Sequence, residues 1–99
     1  MIFRSQKLLV AVRDLPCQWP GCGAQDGTVC AAHSNWLSEG KGRGLKASDA
    51  AIAALCHRCH SDLDQGRQMT REERRAGWLE AHASTLRALI ERGYLETRK

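Results

Sequence analysis

No stretch of this 99-residue chain approaches the apolar length needed to cross a bilayer. Near the N-terminus the apolar run is only Leu8 to Val12. That is too short for the core of a signal peptide, and Arg13-Asp14 follows it. Internal repeats and low-complexity tracts are also missing, and the length leaves no room for a second core. A single domain over residues 1–99, in a reducing cytoplasm and without a membrane partner, is therefore expected. In that setting paired cysteines bind metal more often than they form disulfides.

What the chain does have is cysteine: five in a domain too small to rely on packing alone. Cys17-x4-Cys22 spans the turn Gln18-Trp19-Pro20-Gly21, and Cys56-His57-Arg58-Cys59 is a C-x-x-C pair. Each is short enough to aim two sulfurs at one ion, and four thiolates complete the tetrahedral shell of a structural Zn²⁺. The alternatives are ordinary buried cysteines, or pairs that act separately. Cys30 has no such partner and reads as a small buried hydrophobe.

The elements follow from caps and periodicity. Residues 5–14 read as a short helix with Ser5 as N-cap, Leu8, Leu9 and Val12 on one face, and Pro16 as its stop. Thr28 to Ala32 reads as a strand running into His33. Ser38 to Lys46 holds three glycines and three basic residues and reads as a loop. Residues 48–55 are ambiguous: alanine content argues helix, the short apolar run before the second cysteine pair argues strand. A helical turn or two follows Cys59, closed by Gly66. Thr70 and Glu73 form a capping box that opens a helix over about 70–92, with a stripe of Trp78, Leu79, His82, Leu86, Leu89 and Ile90 and a stop at Gly93.

A second polar cluster lies directly after Cys59. On a helix, His60 and Asp64 are four residues apart on one face and can hold a divalent ion together, while Asp62 points elsewhere. His57 reads as exposed or supporting, and His82 as a packed histidine. The formal charge of +4 is compatible with a nucleic-acid partner.

With these residues in place, the chain resembles the HNH endonucleases, also called His-Me finger or ββα-metal nucleases. The string AHSNW…GKGRGLKASDAAIAALCHRCHSDLDQG is similar to small nucleases of phages and prophages, and to phage recombination-enhancement nucleases. The resemblance covers residues 15–66, and several spaced motifs agree within it. It implies that residues 51–55 are the second strand of a hairpin. It also implies that His33 is the general base for the attacking water, that His60 is a ligand of a catalytic metal, and that Asp64 is a second ligand. Asp49 lies in the region of the middle Asn that braces the family's loop, with longer than usual spacing to Cys56. Most of the family has Asp, itself a metal ligand, where this chain has Ala32; either the metal shell here has fewer protein ligands or His33 is itself one.

The expected fold is thus α+β: an N-terminal helix, a zinc-stabilised ββα-metal finger and a long C-terminal helix. The expected function is metal-dependent hydrolysis of DNA phosphodiesters in phage or prophage DNA metabolism. It would use a structural Zn²⁺ and one catalytic divalent ion (Mg²⁺, Mn²⁺, Ni²⁺ or Zn²⁺). Lys41, Arg43 and Lys46, set among glycines, are expected to contact backbone phosphates. No element is built for base readout, so sequence preference should be weak. The rival reading is a non-catalytic zinc-stabilised DNA-binding module, which Ala32 favours. A zinc-held protein-interaction module would leave His33, His60 and Asp64 unexplained.

Overall fold

The computed structural model describes residues 5–33, 51–65 and 69–95. In chain order they form α1 (Gln6–Val12), β1 (Cys30–His33), β2 (Ile52–Leu55), α2 (His57–Gln65) and α3 (Arg71–Glu91). The result is a small α+β arrangement in which β1 and β2 pair antiparallel, with Cys30 opposite Leu55 and His33 opposite Ile52.

Local chemistry explains the boundaries. Ser5 caps α1, its hydroxyl accepting from the Leu8 N–H at 3.2 Å. The helix turns Val12 into the core and Leu8 and Leu9 against it, while Val10 stays exposed. β1 starts at Cys30 rather than at Thr28, because Thr28 is committed elsewhere. Its N–H and hydroxyl both bond the Asp26 carboxylate, and its oxygen accepts from the His57 N–H at 2.9 Å. That N–H is one of the orphan donors at the start of α2, so Thr28 acts as a tertiary cap. α2 accordingly begins two residues before Cys59, with Cys56 directly ahead of its first residue and Cys59 in its first turn. The closing role expected of Gly66 lies outside the described residues.

All four residues of β2 are buried, as a continuous apolar run without alternation requires. Such a strand must have its open edge covered, since unpaired backbone groups are costly away from water. Here three side or main chains do it. The Thr85 hydroxyl accepts from the Ala54 N–H at 2.9 Å. His82 Nδ1 lies 2.6 Å from the Ile52 carbonyl and must donate to it, because a carbonyl only accepts. The Gln18 N–H donates to the Ala54 carbonyl at 2.7 Å.

This covering role corrects the stripe expected on α3. The buried face is Trp78, Ala81, Thr85 and Leu89, whereas Leu79 and Ile90 are 44% and 60% exposed. Ala81 and Thr85 are small, so the helix backbone approaches β2 closely. Trp78 stacks on His82 with ring centroids 5.0 Å apart and donates its indole N–H to the Ala32 carbonyl at 3.2 Å. The face is thus selected by closeness and by polar partners, which a count of large apolar residues does not detect. At the C-terminal end Gly93 adopts φ +80°. Its N–H reaches Ile90 and that of Tyr94 reaches Leu89, a Schellman stop.

Candidate metal centre

The first cysteine pair sits in the loop between α1 and β1. Gly21 and Gly23 take φ of +83° and +72°, conformations that residues with a Cβ rarely adopt. They let the loop double back so that the Cys17 N–H reaches Ala24, the Cys22 N–H reaches Trp19 and the Gly23 N–H reaches Cys17. Gln18 fixes the loop to β2 as described, and the Trp19 ring packs against α3 at Gly77. A Cβ at position 77 would overlap the Trp19 ring, so Gly77 is what permits that approach. The second pair comes from the junction of β2 and α2.

The two pairs converge. The sulfurs of Cys17, Cys22, Cys56 and Cys59 all lie within 4.8 Å of one another, with Cys22 and Cys56 3.9 Å apart. Tetrahedral ligation at a metal–sulfur distance of about 2.3 Å puts ligand sulfurs about 3.8 Å apart, whereas a disulfide requires about 2 Å. All four are free thiols, and Cys17, Cys56 and Cys59 are buried. The cluster is therefore near enough to bind a metal.

Its electrostatics point the same way. Burial raises the Cys17 thiol above its ordinary value, against backbone N–H donors of Cys56 and Trp19 that lower it. Burial, then the neighbouring thiols, raises Cys59 far more strongly. Cys22 is lowered, first by the Ala24 N–H. Burial opposes ionisation of Cys17 and Cys59, and a divalent cation reverses that preference.

A second cluster lies beside the first. On α2, His60 Nε2 and Asp64 Oδ2 are 3.3 Å apart, with side chains 34% and 41% exposed. The other ring nitrogen, Nδ1, lies 3.4 Å from Cys30 Sγ on β1. Cys30 is only partly buried, and its thiol is raised first by burial, with the Asp64 charge adding and Arg13 opposing. It therefore lies in a polar contact and is more than a packing residue. Nothing local in the sequence signals this contact, which joins residues 30 apart in the chain.

His33 ends β1 opposite Ile52 and is half-buried. Strand alternation puts it on the face opposite Cys30. Among the described residues, the four cysteines make up the group of three or more ligating side chains within mutual reach, and His33, His60 and Asp64 do not form another. Lys41, Arg43, Lys46 and Asp49 lie outside the described residues. No helix among the described residues is long and apolar enough to cross a membrane.

Comparison of the chain with protein-family models, with curated proteins and with solved structures finds no match.

Proposed function

We propose that this chain is a metal-dependent DNA endonuclease of the HNH type, held together by a structural zinc ion on Cys17, Cys22, Cys56 and Cys59. The observation that carries the reading is the sharing of α2. Cys56 directly precedes the helix and Cys59 lies in its first turn, and the residues that follow, His60 and Asp64, are 3.3 Å apart on one face. A rigid cysteine-bound helix start is what a divalent-ion site on the following turns needs in order to stay oriented. Four thiolates favour zinc and leave it no open position, so chemistry requires a second ion.

In this reading His60 with Asp64 forms the divalent-ion site, and His33 takes the proton from the attacking water. When bound, the divalent ion supplies charge relief on the scissile phosphate and the departing oxygen. Lys41, Arg43 and Lys46 neutralise neighbouring phosphates without reading bases.

The test is nicking of supercoiled plasmid with Mg²⁺, Mn²⁺, Co²⁺, Ni²⁺ or Zn²⁺. His33→Ala should keep the fold and DNA binding but lose a factor of about 10² to 10⁴ in rate. Equal nicking by wild type, His33→Ala and His60→Ala would reject the assignment. A second reading, a DNA-binding module without catalysis, draws on Ala32. It is fully buried and offers no ligand where the family resemblance implies one. That reading expects DNA retention without nicking under any of the five ions.

A further inference from the structure

Histidine has two ring nitrogens, and in its neutral form one carries the proton and the other the lone pair. Those of His60 face different partners: Nε2 is 3.3 Å from Asp64 Oδ2, and Nδ1 is 3.4 Å from Cys30 Sγ. A carboxylate oxygen accepts and does not donate. It therefore takes the protonated nitrogen, Nε2–H, which leaves the lone pair on Nδ1, the ring nitrogen beside the sulfur.

We infer that Cys30 Sγ and His60 Nδ1 are two ligands of the second metal ion, and that Asp64 is a positioning residue that orients the imidazole through Nε2–H. The inference rests on the proposed second-ion site and replaces Asp64 by Cys30 in its pair of ligands. A metal–sulfur bond of about 2.3 Å and a metal–nitrogen bond of about 2.0 Å at a tetrahedral angle separate the two donor atoms by about 3.5 Å. The observed 3.4 Å is close to this separation. A carboxylate on the far nitrogen is the usual outer partner of a ligating histidine. Cys30 comes from β1 and His60 from α2, so the ion would bridge the strand and the helix. Ala32, the next residue on that strand face, contributes no donor. Binding converts the Cys30 thiol to a thiolate and releases its proton to solvent. A sulfur and an imidazole select a borderline-soft cation such as Zn²⁺, Co²⁺ or Ni²⁺ over Mg²⁺.

The experiment adds Co²⁺ to the full chain, folded with zinc on its four-cysteine cluster. Absorption, calorimetry and released zinc are read together. Wild type should bind Co²⁺ without releasing zinc and show a thiolate-to-cobalt charge-transfer band. Cys30→Ser and Cys30→Ala should both lose that band while keeping the zinc and the far-ultraviolet circular dichroism of the fold. Asp64→Asn should keep the band and weaken Co²⁺ by roughly 10- to 100-fold. Added Co²⁺ bound without a thiolate band, or a band unchanged in both Cys30 variants, overturns the inference. Plasmid nicking separates it from the endonuclease reading. Nicking in Co²⁺ by both Cys30 variants at the wild-type rate removes the Cys30 ligand and leaves the nuclease. Cys30-dependent Co²⁺ binding with no nicking under any ion does the reverse.

Discussion

Thr85 shows how one hydroxyl decides an interface. It is fully buried, donates to the Ala81 carbonyl at 2.7 Å and accepts from the Ala54 N–H at 2.9 Å. Without it the N–H of a fully buried strand residue has no partner, and leaving such a donor unpaired costs about 1 to 3 kcal/mol. Thr85→Val keeps the shape and removes the bond. It should lower the urea midpoint by the equivalent of about 1 to 3 kcal/mol, with little change in slope. Thr85→Ser keeps the bond and should cost less. Equal stability of Thr85→Val and wild type would show that the edge is satisfied in some other way. His82 belongs to the same edge: its bond to Ile52 and its stack on Trp78 give it a structural role.

The elements differ in how much of their ending is local. α3 begins with a complete capping box, the Thr70 hydroxyl accepting from the Glu73 N–H at 3.0 Å and Glu73 accepting from the Thr70 N–H at 2.8 Å. Thr70→Ala should therefore destabilise by about 1 kcal/mol, read as a lower urea midpoint. The Thr70 N–H, then its hydroxyl, holds the Glu73 carboxyl below its ordinary value of 4.5. A carboxyl depressed in the folded state contributes stability that is present above its unfolded value. That contribution is lost as pH falls from about 4.5 through the lower folded value. The cap's advantage over Glu73→Ala should shrink across that window, and an advantage that stayed constant would contradict the capping role. Signals of this local kind were readable in the sequence: the Ser5 cap, the Thr70–Glu73 box, the Gly93 stop, and the convergence of two short cysteine pairs. What was not readable depends on tertiary partners. The start of β1 moved because Thr28 caps α2, the face of α3 is set by the edge of β2, and Cys30 meets His60 only because the fold brings these two residues together.

Taken as a whole, the molecule has little that stands alone. A two-stranded sheet is marginal in water, and helices as short as α1 and α2, with 7 and 9 residues, do not persist in isolation. The four-cysteine cluster joins the α1–β1 loop to the β2–α2 junction, and α3 packs on the strand between them. Without the proposed zinc, four buried or half-buried sulfurs stand crowded within 4.8 Å, with burial and neighbouring thiols opposing ionisation of Cys59. Structural zinc in small domains supplies about 10 to 16 kcal/mol of apparent binding free energy, comparable to or larger than a domain's net stability of about 5 to 15 kcal/mol. A strong chelator should therefore unfold the chain in one cooperative step, with loss of Trp78 and Trp19 burial and of most helical signal. α3, with 21 residues, should keep only the weak helicity of an isolated segment. Cys59→Ser should reproduce this state even with zinc present, whereas Cys30→Ser should remain folded, because Cys30 lies outside the four-cysteine group. Restoring zinc to the chelated wild type should restore the fold. Circular dichroism and tryptophan fluorescence during titration with chelator and then zinc check each step. A chelated chain that is metal-free and still native would mean that packing alone holds these elements together.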